Sequence, residues 1–162
     1  MINYGKQSIN QDDIDAVIEV LESDFLTQGP KVEEFENDLR SYCGSKHARV
    51  VTNATSALHL AYVAIGLKKD DIVWTSPNTF VSTANAALYC GAKVEFVDID
   101  PKTYNISIEA LKAKLKIAEA VGQLPKLIVP VHFAGQSCEM KEIWNLSKVY
   151  GFKVIELSLI HI

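Results

Sequence analysis

The sequence predicts an α/β domain, a mostly parallel sheet with helices on its faces. Between about residues 47 and 156, short segments rich in β-branched residues alternate with longer segments of helical periodicity. The strand-like segments show little polar alternation, as expected where both faces of a parallel sheet are covered. No Pro/Gly/Ser-rich linker, internal repeat or low-complexity tract divides the chain. With 162 residues, 48% hydrophobic and 22% charged, the chain can bury a sizeable core and does not have the composition of a disordered one.

Asn10 is placed to cap a first helix, with Asp13 favouring its positive dipole end. Ile14, Val17, Ile18 and Leu21 then form an apolar stripe. A polar loop at 23–30 follows. A second amphipathic helix is predicted over 32–42, with Val32, Phe35 and Leu39 on one face and Gly44 ending it. Strands are predicted at 48–52, 72–76, 94–99, 127–132 and 153–156. Helices are predicted between them at 55–65, 81–89, 108–120 and 139–150, lengths suited to right-handed βαβ crossovers.

The formal net charge is -4 and no basic run stands out, which argues against binding to a phosphate backbone. No segment approaches the ~18 apolar residues of a membrane span, and no apolar stretch follows Lys6 to form a secretory signal. Cys43, Cys90 and Cys138 are dispersed and form no CxxC pair, as expected of reduced thiols in a cytoplasmic protein. His47, His59, His132 and His161 lack metal-ligand spacing, so no metal is implied.

Three segments can carry chemistry. Thr52-Asn53-Ala54-Thr55-Ser56-Ala57 turns from a strand end into a helix start, where unpaired N–H groups and small or hydroxyl side chains favour an anion. The plainer reading is that Asn53 or Thr55 caps the helix. Trp74-Thr75-Ser76-Pro77-Asn78-Thr79-Phe80-Val81 ends another strand, on the side where open α/β sheets bind ligands. Phe80 there either stacks on a planar ring or makes a core or staple contact. Asp98 and Asp100 follow a third strand; an acid/base or metal pair is conceivable, but Asp100-Pro101 is good turn chemistry and the turn is favoured.

Together these residues resemble the DegT family of sugar aminotransferases. The resemblance rests on Asn53-Ala54-Thr55-Ser56-Ala57-Leu58-His59-Leu60, Thr79-Phe80-Val81-Ser82-Thr83-Ala84-Asn85, Val97-Asp98-Ile99-Asp100-Pro101 and Val129-Pro130-Val131-His132-Phe133-Ala134-Gly135-Gln136. Asp24-Phe25-Leu26-Thr27-Gln28-Gly29-Pro30, ahead of an acidic helix, matches the family's front end. The likeness runs from about residue 4 to 156, and several motifs in the right order are far more specific than any one.

The resemblance implies a type I pyridoxal-phosphate (PLP) transferase fold, here a truncated large domain. Residues 1–46 would form an N-terminal helical segment contacting substrate, 47–156 part of the PLP-binding α/β domain, and 157–162 a tail unrelated to the family. Ala54, Thr55 and Ser56 would hold the cofactor phosphate and Phe80 would stack on its ring. Tyr4, Asp24, Phe25, Leu26 and Thr27 would touch the nucleotide-sugar. The implied reaction converts a 4-keto UDP-sugar to the 4-amino sugar with an amino-acid donor such as glutamate, in a full-length homodimer. Other readings are a sugar dehydratase relative using the same cofactor, a non-catalytic nucleotide-sugar-binding module and a purely structural domain. A Rossmann-type module calls for a glycine-rich first turn, and residues 52–57 contain no glycine.

The sequence departs from the family at its end. After Glu156 the family places an aspartate whose charge keeps the pyridine nitrogen protonated, and here the residue is Leu157. The Schiff-base lysine is expected beyond the end of this chain, so the chain alone is expected not to transaminate. Residues 157–162 are expected to arise from a frameshift or an incomplete gene, with a genuine divergent strand ending as the alternative. Apolar faces left exposed would make the isolated chain poorly soluble, and a sharp cooperative melt would contradict that.

Overall fold

Four parallel strands form one sheet in the computed structural model, which describes residues 7–158. Tyr4 and residues 159–162 of the tail lie outside that range. The chain divides into two compact units between Val51 and Thr52.

The first unit carries two helices. α1 (Gln11–Glu22) opens with a reciprocal capping box: Asn10 Oδ1 accepts from Asp13 N at 3.0 Å and Asp13 Oδ2 accepts from Asn10 N at 2.9 Å. α2 (Pro30–Cys43) starts two residues earlier than predicted, because Pro30 at its first position has the right φ and no N–H to waste. Gly44 ends it at φ 63°, in the left-handed region. The predicted strand at 48–52 is not one. The Val50 amide, which a ladder would need, donates to Glu36 Oε1 at 3.0 Å, and Arg49 pairs with the same carboxylate. β-branched composition suggests a strand, but among the described residues no strand supplies the pairing.

In the second unit, α3 (Ala54–Ala64) leads into β1 (Ile72–Thr75), α4 (Ser82–Tyr89), β2 (Lys93–Phe96), α5 (Ile108–Ala120), β3 (Leu127–Val129), a short 3₁₀ turn (Phe133–Gly135), α6 (Met140–Tyr150) and β4 (Lys153–Val154). The strand order is β2-β1-β3-β4, with Val73 opposite both Val94 and Leu127, and Ile128 opposite Val154. Only β1 and β3, the inner pair, are buried almost throughout; β2 and β4 are half-buried edges. β3 stops short of its predicted end because Pro130 offers no N–H to the ladder. Pairing resumes beyond it at Val131 and Leu157, where Leu157 N donates to Pro130 O at 3.0 Å and His132 N to Leu157 O at 2.9 Å.

The sheet separates two apolar layers. Trp74 and Ile128 pack with Leu111, Leu115, Ile143 and Phe152 on the α5/α6 face. Val73, Leu127 and Val129 pack with Leu58, Tyr62, Ala86 and Leu157 on the other, under α3 and α4. Because α3 and α4 run back against the strand direction, their N-termini lie at the carboxyl edge of the sheet, the edge from which all four parallel strands emerge.

Candidate functional site

At the start of α3 the cap and the anion reading coexist. Asn53 Oδ1 accepts from Ser56 N at 2.8 Å, and Asn53 itself is held by Thr52 Oγ1 at 3.2 Å. The cap therefore uses one opening amide. Among the described residues, the amides of Ala54 and Thr55 and the hydroxyls of Thr55 and Ser56 have no hydrogen-bond partner. Ala54 is exposed and Thr55 and Ser56 are half-buried, so the turn presents donors to solvent at the positive end of a helix dipole.

Phe80 sits in the loop between β1 and α4 and is 63% exposed, which excludes the core reading of its ring. It lines a cavity of about 340 Å³ with Asn78 and Thr79 on its own loop and Val131, His132, Phe133, Ala134 and Leu157 opposite. Thr79 Oγ1 bonds Thr83 Oγ1 at 2.8 Å, tying the loop to the first turn of α4. Tyr62, fully buried, donates its hydroxyl to Thr83 O at 3.0 Å and so joins α3 to α4. Burial pushes the Tyr62 phenol far above its ordinary range, so it serves as a neutral donor.

The opposite wall was not singled out from the sequence as a site. His132 Nδ1 accepts from Cys138 N at 3.0 Å, and its Nε2 faces Glu156 Oε2 at 3.0 Å. In the neutral ring the proton therefore sits on Nε2. Cys138 is buried, and desolvation pushes its thiol up to about 11, which keeps it protonated. The signal available in sequence was the strand-end position of residues 130–134. Leu157 is 9% exposed and contributes an apolar side chain to the cavity.

The acid/base reading of Asp98 and Asp100 gives way to the turn. Asp100 Oδ1 accepts from Lys102 N at 2.7 Å and Thr103 N at 3.0 Å, and these backbone bonds hold its carboxyl below the usual range. Asp98 Oδ1 accepts from Ile99 N. Among the described residues no His/Cys/Asp/Glu group could hold a metal ion.

The front-end residues belong to the first unit. Phe25 and Leu26 line a separate cavity of about 240 Å³ there, while Asp24 and Thr27 are exposed outside its lining. Gly29 keeps that cavity open: a Cβ would lie 2.8 Å from Phe25 Cβ and 3.2 Å from Phe25 O. Gly29→Ala is expected to displace Phe25 and cost about 1–2 kcal/mol. Urea denaturation measures the loss, and an unchanged midpoint would show that Phe25 yields freely.

The parallel α/β sheet carries free helix-start donors and an exposed aromatic ring at its carboxyl edge, the edge at which open α/β sheets bind ligands. Residues 7–158 match the DegT/DnrJ/EryC1/StrS aminotransferase family, and the chain belongs to that family. It is 50% identical over 157 residues to the UDP-4-amino-4,6-dideoxy-N-acetyl-beta-L-altrosamine transaminase of Campylobacter jejuni subsp. jejuni serotype O:23/36 (strain 81-176), a match covering 96% of this chain and 40% of that protein. Among solved structures, Helicobacter pylori PseC, an aminotransferase involved in pseudoaminic acid biosynthesis, superposes with a TM-score of 0.85 at 33% identity, covering 95% of this chain and 40% of the other. The Bacillus subtilis protein ntda, solved with bound cofactor PMP, superposes at 0.80 with 32% identity, covering 91% and 34%. The chain thus spans about 40% of the length of the relatives it matches. Among the described residues no helix is long and apolar enough to cross a membrane.

Proposed function

We propose that this chain is the cofactor-phosphate and ring-stacking part of a pyridoxal-phosphate-dependent nucleotide-sugar aminotransferase. Its reaction turns a 4-keto UDP-sugar into the 4-amino sugar, with glutamate as the amino-acid donor. The complete enzyme works as a cytoplasmic homodimer, and Tyr4 with residues 24–27 contacts the nucleotide-sugar. The observation that carries this reading is the pairing of unspent donors at Ala54–Ser56 with the exposed Phe80 ring at the same sheet edge. Family membership and the 50% identical transaminase support it.

Two ends of the cofactor fit these residues and one does not. The Ala54 and Thr55 amides and the Thr55 and Ser56 hydroxyls suit a dianionic phosphate, the helix start adding favourable potential without a buried countercharge. The Phe80 face suits a planar ring, and Val131 and Phe133 stand on the other side of the cavity. Leu157, an apolar side chain on the cavity, would offer no charge to a protonated ring nitrogen. When bound, the cofactor supplies an electron-withdrawing ring and a carbonyl that carries the amino group between donor and sugar. This chain's residues anchor and orient it.

Pyridoxamine phosphate (PMP) needs no Schiff base and is the suitable probe. The 162-residue chain is expected to bind it, with inorganic phosphate competing. The Thr55→Ala/Ser56→Ala pair is expected to weaken binding about 100-fold or more, from the loss of two bonds to a charged acceptor. Fluorescence titration measures both. Binding indifferent to that pair, or uptake of UDP without PMP, would overturn the assignment, the latter in favour of a nucleotide-sugar-binding module.

A further inference from the structure

We propose that Asn105 is a positioning residue that sets the 133–137 turn, of which Phe133 and Ala134 line the cavity opposite Phe80. Its side chain is 4% exposed and spends every bond it can make near that wall on the wall's backbone. Oδ1 accepts from Phe133 N at 2.9 Å, and Nδ2 donates to Gln136 O at 2.9 Å and Ser137 O at 3.1 Å. This set fixes the orientation of the amide. Turning it over would set an oxygen against two carbonyl oxygens and an NH₂ against an N–H.

The backbone being held is a short turn whose own bonds, Gly135 N to His132 O at 3.3 Å and Gln136 N to Phe133 O at 2.9 Å, leave the Phe133 amide to Asn105. Ala134, which lines the cavity, has φ 51°, and Tyr104, next to Asn105, has φ 60°. Neither is glycine, so both conformations carry strain that persists only where surrounding bonds impose it. Tyr104 also packs its ring against Phe133, with centroids 6.0 Å apart. The Asp100 turn delivers Asn105 to this point: Asp100 N donates to Asn105 O at 2.8 Å, and Ile99 and Ile106 pair antiparallel just beyond. The two aspartates read from sequence as possible chemistry thus build the arm that carries Asn105. A shift of Phe133 and Ala134 by about 1 Å would open the gap in which a ring would lie against Phe80, a loss that rigid supporting bonds prevent.

The role in binding rests on the cofactor reading above; the role in holding the wall does not. PMP affinity of the full chain is measured for wild type, Asn105→Asp and Asn105→Ala. At about pH 8, Asn105→Asp is expected to bind about tenfold more weakly, because a carboxylate faces the carbonyls of Gln136 and Ser137. Burial raises that carboxyl's pKa, so toward about pH 5.5 it takes up a proton, regains an O–H donor, and the gap to wild type at the same pH closes. Asn105→Ala is expected to show the deficit at both pH values, and it replaces the aspartate variant if that one gives no cooperative melt. Wild-type affinity in Asn105→Ala, or an aspartate deficit indifferent to pH, overturns the proposal. If wild type takes up no PMP, the cofactor reading fails and amide exchange decides this one. Exchange in Asn105→Ala accelerated about tenfold or more at Phe133, with β1 and β3 unchanged, supports Asn105 as the holder of the wall; unchanged exchange at Phe133 overturns it.

Discussion

Leu157→Asp is expected to destabilise the ligand-free chain by about 3 kcal/mol and to tighten its hold on PMP about tenfold or more. Leu157 is 9% exposed and packs in the same apolar layer as Leu127 and Val129. Substitution removes apolar burial and desolvates a carboxyl, both unfavourable. Burial raises the pKa of that carboxyl in the folded state above its unfolded value. The charge penalty is then absent below the unfolded pKa and grows as pH rises through the folded one, so the variant loses stability with rising pH over the weakly acidic range. A ligand with a protonated ring nitrogen reverses the balance by pairing with the carboxylate. Urea denaturation across pH, with and without PMP, reads both halves. A variant that is destabilised yet binds no more tightly would show that the ring nitrogen does not point to residue 157.

Tyr62→Ala is expected to cost about 3–5 kcal/mol, the range for removing a fully buried aromatic side chain. Tyr62 is 0% exposed in the layer shared by Leu58, Ala86 and Ala87. Tyr62→Phe keeps the ring and removes only the bond to Thr83 O, with an expected loss of about 1 kcal/mol. Since Tyr62 joins the helix that starts at Ala54 to the helix that follows Phe80, the alanine variant should also loosen PMP binding, and the phenylalanine variant far less. Denaturant midpoints and titrations on the two variants test this. Equal losses in both would assign the whole effect to the hydroxyl and refute the packing account.

Much of the fold was legible because its signals are local. α5 was expected at 108–120 and runs from Ile108 to Ala120, and the caps at Asn10, Asn53 and Gly44 act as their residue types suggest. The helix start at Ala54 and the exposed Phe80, the two parts of the proposed site, are likewise short local motifs. What was missed depends on distant partners. The Val50 amide goes to Glu36, so a β-branched run became an irregular segment. The stripe Ile14, Val17, Ile18 and Leu21 has clear helical periodicity, yet each residue is at least 44% exposed and none is buried. Asn105 follows a turn that explains its neighbours fully, and its own partners lie near residue 135, beyond any local window.

Strand order also ranks the steps by which the chain can assemble. β1 meets β2 through a short crossover, Ile72 against Lys93, but meets β3 only after a loop more than twice as long, Val73 against Leu127. Each doubling of a closed loop costs about 0.6 kcal/mol of extra entropy, and non-local parallel pairing is slow. The β1–α4–β2 unit, which includes the Phe80 loop, therefore has the lower closure cost, and the wall carrying Phe133 docks onto an edge already made. A nascent chain emerging in order would have its aromatic platform before the surface that faces it, with β1's open side as the strand edge exposed to wrong pairing in the interval.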